Sequence, residues 1–132
     1  NNKMPNLTAN LTLAQTGIAP DAMSVSTGND VFTVESPGVS NGGFTMTGAT
    51  DYLISPSNPK DQYVYIKNTG AATDTATKLY KGSGGGTHIG SLLPGDWVFM
   101  KWISGSDLYA RNATGAGNSL IEWTFFTSTT TV

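Results

Sequence analysis

The stretch LLPGDWVFMKW, Leu92 to Trp102, decides the fold class of this 132-residue chain. Leu93-Pro94-Gly95-Asp96 predicts a tight turn, because Pro presets φ at the first central position and Gly accepts the positive φ that a type II turn needs at the second. Six residues of strand character follow, and alternation divides them between two faces: Trp97, Phe99 and Lys101 on one, Val98, Met100 and Trp102 on the other. Both faces are largely apolar. We therefore expect the central strand of an all-β domain, covered on each side by a second sheet or by another subunit.

Alternating polar and apolar residues predict further strands on both sides of this stretch. They fall at 6–13, 44–47, 52–54, 62–68, 75–80, 87–92, 108–112 and 119–126, with a hairpin over 23–35 that turns at Gly28-Asn29-Asp30. Ser36-Pro37-Gly38, Asn41-Gly42-Gly43 and residues 55–60 are typical of loops. Short strands without a helical stripe or a repeat indicate one β-sandwich or barrel over residues 1–132, jelly-roll-like or Greek-key-like. Residues 1–22 suggest an extended arm, and residues 127–132 a tail.

Charge and composition restrict the classes of partner. Charged residues make up 12% of the chain, against roughly 25% in an ordinary soluble domain, and the net charge is −2. So weakly charged a surface favours packing against other subunits, although some extracellular β-domains are simply rich in Thr and Gly. The chain has no Cys, so disulfides and thiolate metal sites are excluded. It has no basic run for direct contact with nucleic acid, and no apolar run of the ~20 residues that a membrane helix needs.

Catalytic patterns are absent from the sequence. The chain has one His, His88, and no GxSxG motif to present a nucleophilic serine. The glycines from Gly82 to Gly86 lack the following Lys-Ser/Thr and the helix that a phosphate loop requires, so they predict a hairpin tip. We therefore expect a protein that is not an enzyme, with no catalytic, cofactor or metal residues and no cofactor.

Acidic residues are scattered rather than clustered: Asp21, Asp30, Glu35, Asp51, Asp61, Asp74, Asp96, Asp107 and Glu122. No calcium-loop motif is present, although a calcium site assembled from separate loops stays open as an alternative. Glu122 lies between apolar neighbours in a predicted strand. If it is buried it needs a partner such as Lys67 or Lys101; otherwise it faces water.

Two further patterns have two readings each. Trp97, Trp102 and Trp123 could form an aromatic platform for sugar rings, but each lies within an apolar strand, which favours a place in the core or in a subunit interface. Asn6, Asn10 and Asn112 each begin an Asn-x-Thr sequon. In so Asn- and Thr-rich a chain such sequons arise by chance, and they matter only in a eukaryotic secretory path.

The second half of the chain carries a resemblance. QYVYIKNTG (62–70), the turn and strand LLPGDWVF (92–99) and the closing strand IEWTF (121–125) resemble small all-β virion proteins of tailed bacteriophages. The match covers about half the chain, and its motifs are structural. It implies a protein without catalysis that decorates or cements the capsid surface, or that is tail-associated. It also implies contacts with the major capsid protein or other virion subunits, and a homo-oligomer, for which a trimer is favoured. The alternative is a β-sandwich module that binds a glycan or receptor.

Overall fold

The computed structural model describes residues 6–15, 23–26, 28, 30–55, 60–82, 86–103 and 105–129. The described residues form eleven β-strands. In chain order they are β1 Asn6–Ala9, β2 Thr12–Gln15, β3 Met23–Ser26, β4 Asp30–Thr47, β5 Tyr52–Ser55, β6 Gln62–Asn68, β7 Thr77–Lys81, β8 Thr87–Leu92, β9 Trp97–Trp102, β10 Leu108–Asn112 and β11 Asn118–Ser128. No helix in this part of the chain is long and apolar enough to span a membrane.

The strands form two main antiparallel sheets and a small ribbon. The large sheet has the order β1-β4-β11-β6-β9, the small sheet has the order β5-β10-β7-β8, and β2 pairs with β3. Each strand from β4 to β7 pairs with a strand from β11 back to β8, which is the wrapped antiparallel ribbon of a jelly roll. The predicted all-β fold class is confirmed, and of the predicted alternatives the structure has a sandwich with jelly-roll connections.

The core lies between the two sheets. The large sheet contributes Met46, Val64, Ile66, Trp102, Ile121 and Phe125, and the small sheet contributes Ile54, Leu79, Leu92, Leu108 and Ala110. These side chains come from alternate positions of their strands, as a two-layer sandwich requires. A hydrogen bond between two buried hydroxyl groups, Thr77 on β7 and Ser119 on β11, also joins the two sheets.

Several predicted elements differ from the structure. The hairpin over 23–35 is wrong, because β3 pairs with β2 and the start of β4 pairs with β1. The single strand over 6–13 is two short strands, β1 and β2, which lie within the predicted arm. The two loops between 36 and 43 belong to the 18-residue strand β4. The pairing of β11 with β4 shifts register here: Phe126 pairs with Val39 and Ser128 with Val34, so the residues around Pro37 bulge out of the regular ladder.

Two predicted segments have ends outside the described residues. Strand β11 continues to Ser128, two residues into the predicted tail, and residues 130–132 of that tail are outside the described residues. Asp21 and residues 83–85, which make up most of the predicted Gly-rich tip, are also outside the described residues.

Candidate functional site

The turn between β8 and β9 adopts the predicted type. Asp96 N–H donates to Leu93 O at 2.8 Å, and Gly95 has a φ of 93°, which only glycine tolerates without strain. The Asp96 carboxylate accepts from Leu93 N–H at 2.9 Å. These bonds hold the turn closed and fix the point at which Trp97 enters β9.

Asn68 joins this turn to the end of β6. Its backbone N–H donates to Asp96 O and its carbonyl accepts from Gly95 N–H, at 2.9 and 2.8 Å. Its fully buried side chain donates to Leu92 O and Thr75 O and accepts from Gly70 N–H. KNTG and PGDW, which belong to two of the three segments quoted above for the resemblance, therefore contact each other, and both have a structural role.

Strand β9 lies at the edge of the large sheet, since its partner there is β6. The prediction of a central strand is wrong in this respect, because alternation shows which residues share a face but not which strand lies alongside. Val98, Met100 and Trp102 face the core. The Trp102 indole N–H donates to Ser106 O at 2.9 Å, which satisfies its one polar group.

The outer face of β9 is covered in part by this chain's own N-terminal segment. The β1–β4 pair places Phe32 against Tyr63, with ring centroids 4.7 Å apart, and 6.3 Å from Phe99. Tyr63 and Phe99 are parallel at 6.2 Å. This cover leaves Tyr63 only 8% exposed although it points away from the sandwich core.

Trp97 is not covered in this way. Its side chain is 51% exposed, and it lines a cleft of about 210 Å³ between the N-terminal segment and β9. Asn10, Leu11, Asp30 and Phe32 line the opposite side. Of the three tryptophans, Trp102 is in the core, Trp123 packs against the core, and Trp97 is at the surface.

Exposed apolar side chains concentrate along β8, the turn and β9. Of seven large hydrophobic residues exposed in the described chain, four lie between residues 89 and 103: Ile89, Leu93, Trp97 and Ile103. We call residues 87–103 the β8–β9 side. Its formal charges, Asp96 and Lys101, are both engaged within the chain, Asp96 in the turn and Lys101 with Asp61, whose Oδ2 is 3.7 Å from Lys101 Nζ. Such a surface is suited to contact with protein.

The outer face of the small sheet has a different character. A row of cross-strand neighbours runs over all four strands: Leu53, Tyr109, Tyr80 and His88. Beside it, Arg111 Nε donates to Asp51 Oδ1 at 2.6 Å and its guanidinium lies 5.9 Å from the Tyr80 ring centroid. This face combines aromatic rings with a paired charge.

His88 is an exposed strand residue. Its Nε2 lies 2.8 Å from Gly90 O and 3.1 Å from Ser91 Oγ, and its ring packs on Tyr80. The neighbouring cleft, between Gly82 and Ser106, is lined by Gly86 and Thr87 and not by His88. The contacts of His88 hold it against its own strand rather than in a pocket.

The acidic residues show no site either. Within the described ranges, no group of three or more His, Asp or Glu side chains could hold a metal ion. Glu122 is exposed, opposite Lys67 on β6 and Gly43 on β4, so of the predicted alternatives it faces water.

The Asn112 sequon is structural, since that side chain is buried and donates to Met46 O and Gly117 O.

Comparisons with known proteins add little to this geometry. No family model and no curated protein matches the sequence. Among solved structures, the cupin domain of Schizosaccharomyces pombe Cnp3 superposes with a TM-score of 0.48 at 9% sequence identity, over 94% of this chain and 85% of that one. A likeness at this level carries no inference about function.

Proposed function

We propose that this chain is a structural virion protein of a tailed bacteriophage, which decorates or cements the capsid surface through protein–protein contacts and catalyses no reaction. The observation that carries the proposal is the β8–β9 side, where exposed apolar residues are concentrated and both formal charges are engaged within the chain. Exposed apolar residues grouped on one part of a surface are a feature of protein–protein contact sites.

The composition supports the same function. Only 12% of the residues are charged and the net charge is −2. Neighbouring copies of such a chain repel each other little. A jelly roll with a closed core supplies a rigid unit that can be repeated over a shell. The motifs that resemble phage virion proteins shape the turn at the start of β9, which places Trp97 and Leu93 at the surface.

Binding to particles of the parent phage tests this proposal. Capsids prepared without the protein are mixed with the purified chain and sedimented through a density gradient. We expect the chain to co-sediment at a saturating number of copies and to raise the temperature at which the shell opens. A chain that stays at the top of the gradient at every concentration would overturn the proposal.

A second candidate function is glycan binding, as in a tail or adhesin module. One observation favours it: the half-exposed Trp97 ring lines the cleft of about 210 Å³ together with Asn10 and Asp30. Sugar sites combine an aromatic ring with amide and carboxylate groups in this way. A glycan array would show signals that Trp97→Ala abolishes; an array without signals for the unaltered chain would exclude this candidate.

A further inference from the structure

The open edges of the sandwich are not equivalent. In the described chain the sheet edges are β1 and β9 on the large sheet and β5 and β8 on the small one. β1 and β5 have four residues each, and the pairings of β5 and β8 both contain a register shift. Short edge strands and bulges hinder pairing with another chain. Strand β9 has six residues in regular register with β6, so it is the edge best suited to accept another strand.

The hydrogen-bond pattern shows which groups of β9 face outward. Asn68 directs its backbone N–H and carbonyl toward residues 95 and 96, and Thr69 N–H bonds to Leu120 O on the opposite neighbour. Because backbone groups alternate in direction along an antiparallel strand, Val98, Met100 and Trp102 bond to β6. The N–H and carbonyl groups of Trp97, Phe99 and Lys101 therefore face the open edge.

The usual protection of an edge strand is weak here. Natural edges often carry a lysine whose charge repels another strand. The only lysine of β9, Lys101, lies 3.7 Å from Asp61 Oδ2 and 5.5 Å from the Tyr63 ring centroid. Its charge is thus partly offset within the chain. The edge has no excess of one charge sign that would repel an identical edge.

We propose that β9 pairs with β9 of a second copy of this chain, antiparallel and around a two-fold axis at Phe99, so that the two large sheets become one. This inference rests on the proposed assembly function and names a second copy as the partner of that surface. Three residues on each strand have outward groups, so the pairing forms up to about six backbone hydrogen bonds. It predicts a dimer, where the sequence resemblance favoured a trimer.

The side chains of this register are self-complementary. With the two-fold axis at Phe99, each residue lies opposite the residue that is equally far from Phe99 on the other side. Trp97 therefore lies opposite Lys101 of the second copy, and Phe99 lies opposite Phe99 of the second copy. A lysine facing a tryptophan ring gains a cation–π contact, and paired phenylalanines are favourable cross-strand neighbours. The exposed Ile103 then lies opposite Gly95, in the turn that carries Leu93. The pairing therefore places the exposed Trp97 and Ile103 against residues of the second copy.

The mass of the purified full chain is the first test. Analytical ultracentrifugation over a range of concentrations should show a species of twice 13.8 kDa, in reversible equilibrium with the monomer. A monomer at every concentration, or a trimer, would overturn the inference.

Substitutions at Trp97 test the register. Trp97→Lys places two lysines opposite each other at both symmetric positions, and should raise the dimer dissociation constant by about tenfold or more. In Trp97→Glu the new carboxylate lies opposite Lys101 of the second copy, so the dimer dissociation constant should rise much less than in Trp97→Lys. Because Trp97 is half exposed, both variants should fold, which circular dichroism checks. An equal rise of the dimer dissociation constant in both variants would contradict the antiparallel register.

Leu53→Lys is the matched control. Leu53 is 46% exposed, similar to Trp97, and lies on the edge strand β5 of the other sheet. The dimer dissociation constant should not change. A loss as large as that of Trp97→Lys would mean that association does not use β9.

The outcomes separate this inference from the proposed function. A dimer that does not bind phage particles would overturn the virion function and support the pairing. A monomer that binds particles would overturn the pairing and support the function.

Discussion

Asn68→Ala tests how much the buried hydrogen bonds between β6 and the β8–β9 turn stabilise the fold. The side chain is fully buried. It makes three hydrogen bonds of 3.2 Å or less, at 3.2 Å to Thr75 O, 3.0 Å to Leu92 O and 2.9 Å from Gly70 N–H, and a longer one of 3.5 Å to Thr77 Oγ1. At about 1 kcal/mol net for each of the three shorter hydrogen bonds, the free energy of unfolding should fall by about 3 kcal/mol. That is a large part of the roughly 5–15 kcal/mol of a typical domain.

The assay is equilibrium unfolding in urea, followed by the fluorescence of the three tryptophans. Asn68→Asp should lose at least as much, because a carboxylate oxygen would replace the amide that donates to Leu92 O. Asn41→Ala, at an exposed asparagine of β4, is the control and should change the free energy little. A loss below about 1 kcal/mol for Asn68→Ala would refute the view that this side chain joins β6 to the β8–β9 turn.

Two further pairs of variants test the packing. Trp102→Ala should cost about 3–5 kcal/mol of unfolding free energy because its ring is in the core, whereas Trp97→Ala should cost about 1 kcal/mol or less; the reverse order in urea would contradict the assignment of the two faces. Gly42→Ala should cost about 1–3 kcal/mol, since its Cβ would lie 2.5 Å from the Trp123 ring. A Cβ at Gly90 would have no atom within 4 Å, so Gly90→Ala should not lower the melting temperature. If Gly90→Ala lowered the melting temperature as much as Gly42→Ala, the steric explanation would be refuted.

Local pattern was enough to predict the strands that have clear alternation and clear turns at their ends. β6, β8, β9 and β10 have the predicted bounds, because apolar residues at every second position specify one buried face and Gly, Pro and Asp mark the ends. The spacing of these strands predicted a β-sandwich or barrel, whereas the jelly-roll connections are seen only in the pairing of the strands.

Strand β4 shows what local pattern could not predict. Gly42 and Gly43 are typical of a loop, yet they lie in a strand that pairs with β11, where the Trp123 ring and the Glu122 side chain occupy the space that a Cβ would need. These partners are on β11, about eighty residues away in the chain, and no local signal reveals them. Only knowledge of the partner strand could have changed the assignment.

The surface around β9 also depends on distant residues. The sequence correctly indicated an apolar outer face, but its partial cover comes from Phe32 and the β1–β4 pair, which sequence analysis had assigned to an arm and a hairpin. The position of β9 at the sheet edge follows from the wrapped topology and not from its own residues. The pattern left open whether Trp97 lies in the core, in a subunit interface or at a sugar site, and the structure shows its side chain half exposed.

Electron cryomicroscopy of the parent virion tests the central claim, that this chain is an assembly protein of the capsid, most directly. We expect regularly spaced density on the shell into which the jelly roll fits, with residues 87–103 in contact with neighbouring subunits. Particles that contain no copy of the chain would contradict the claim, as would a map in which residues 87–103 face solvent at every position.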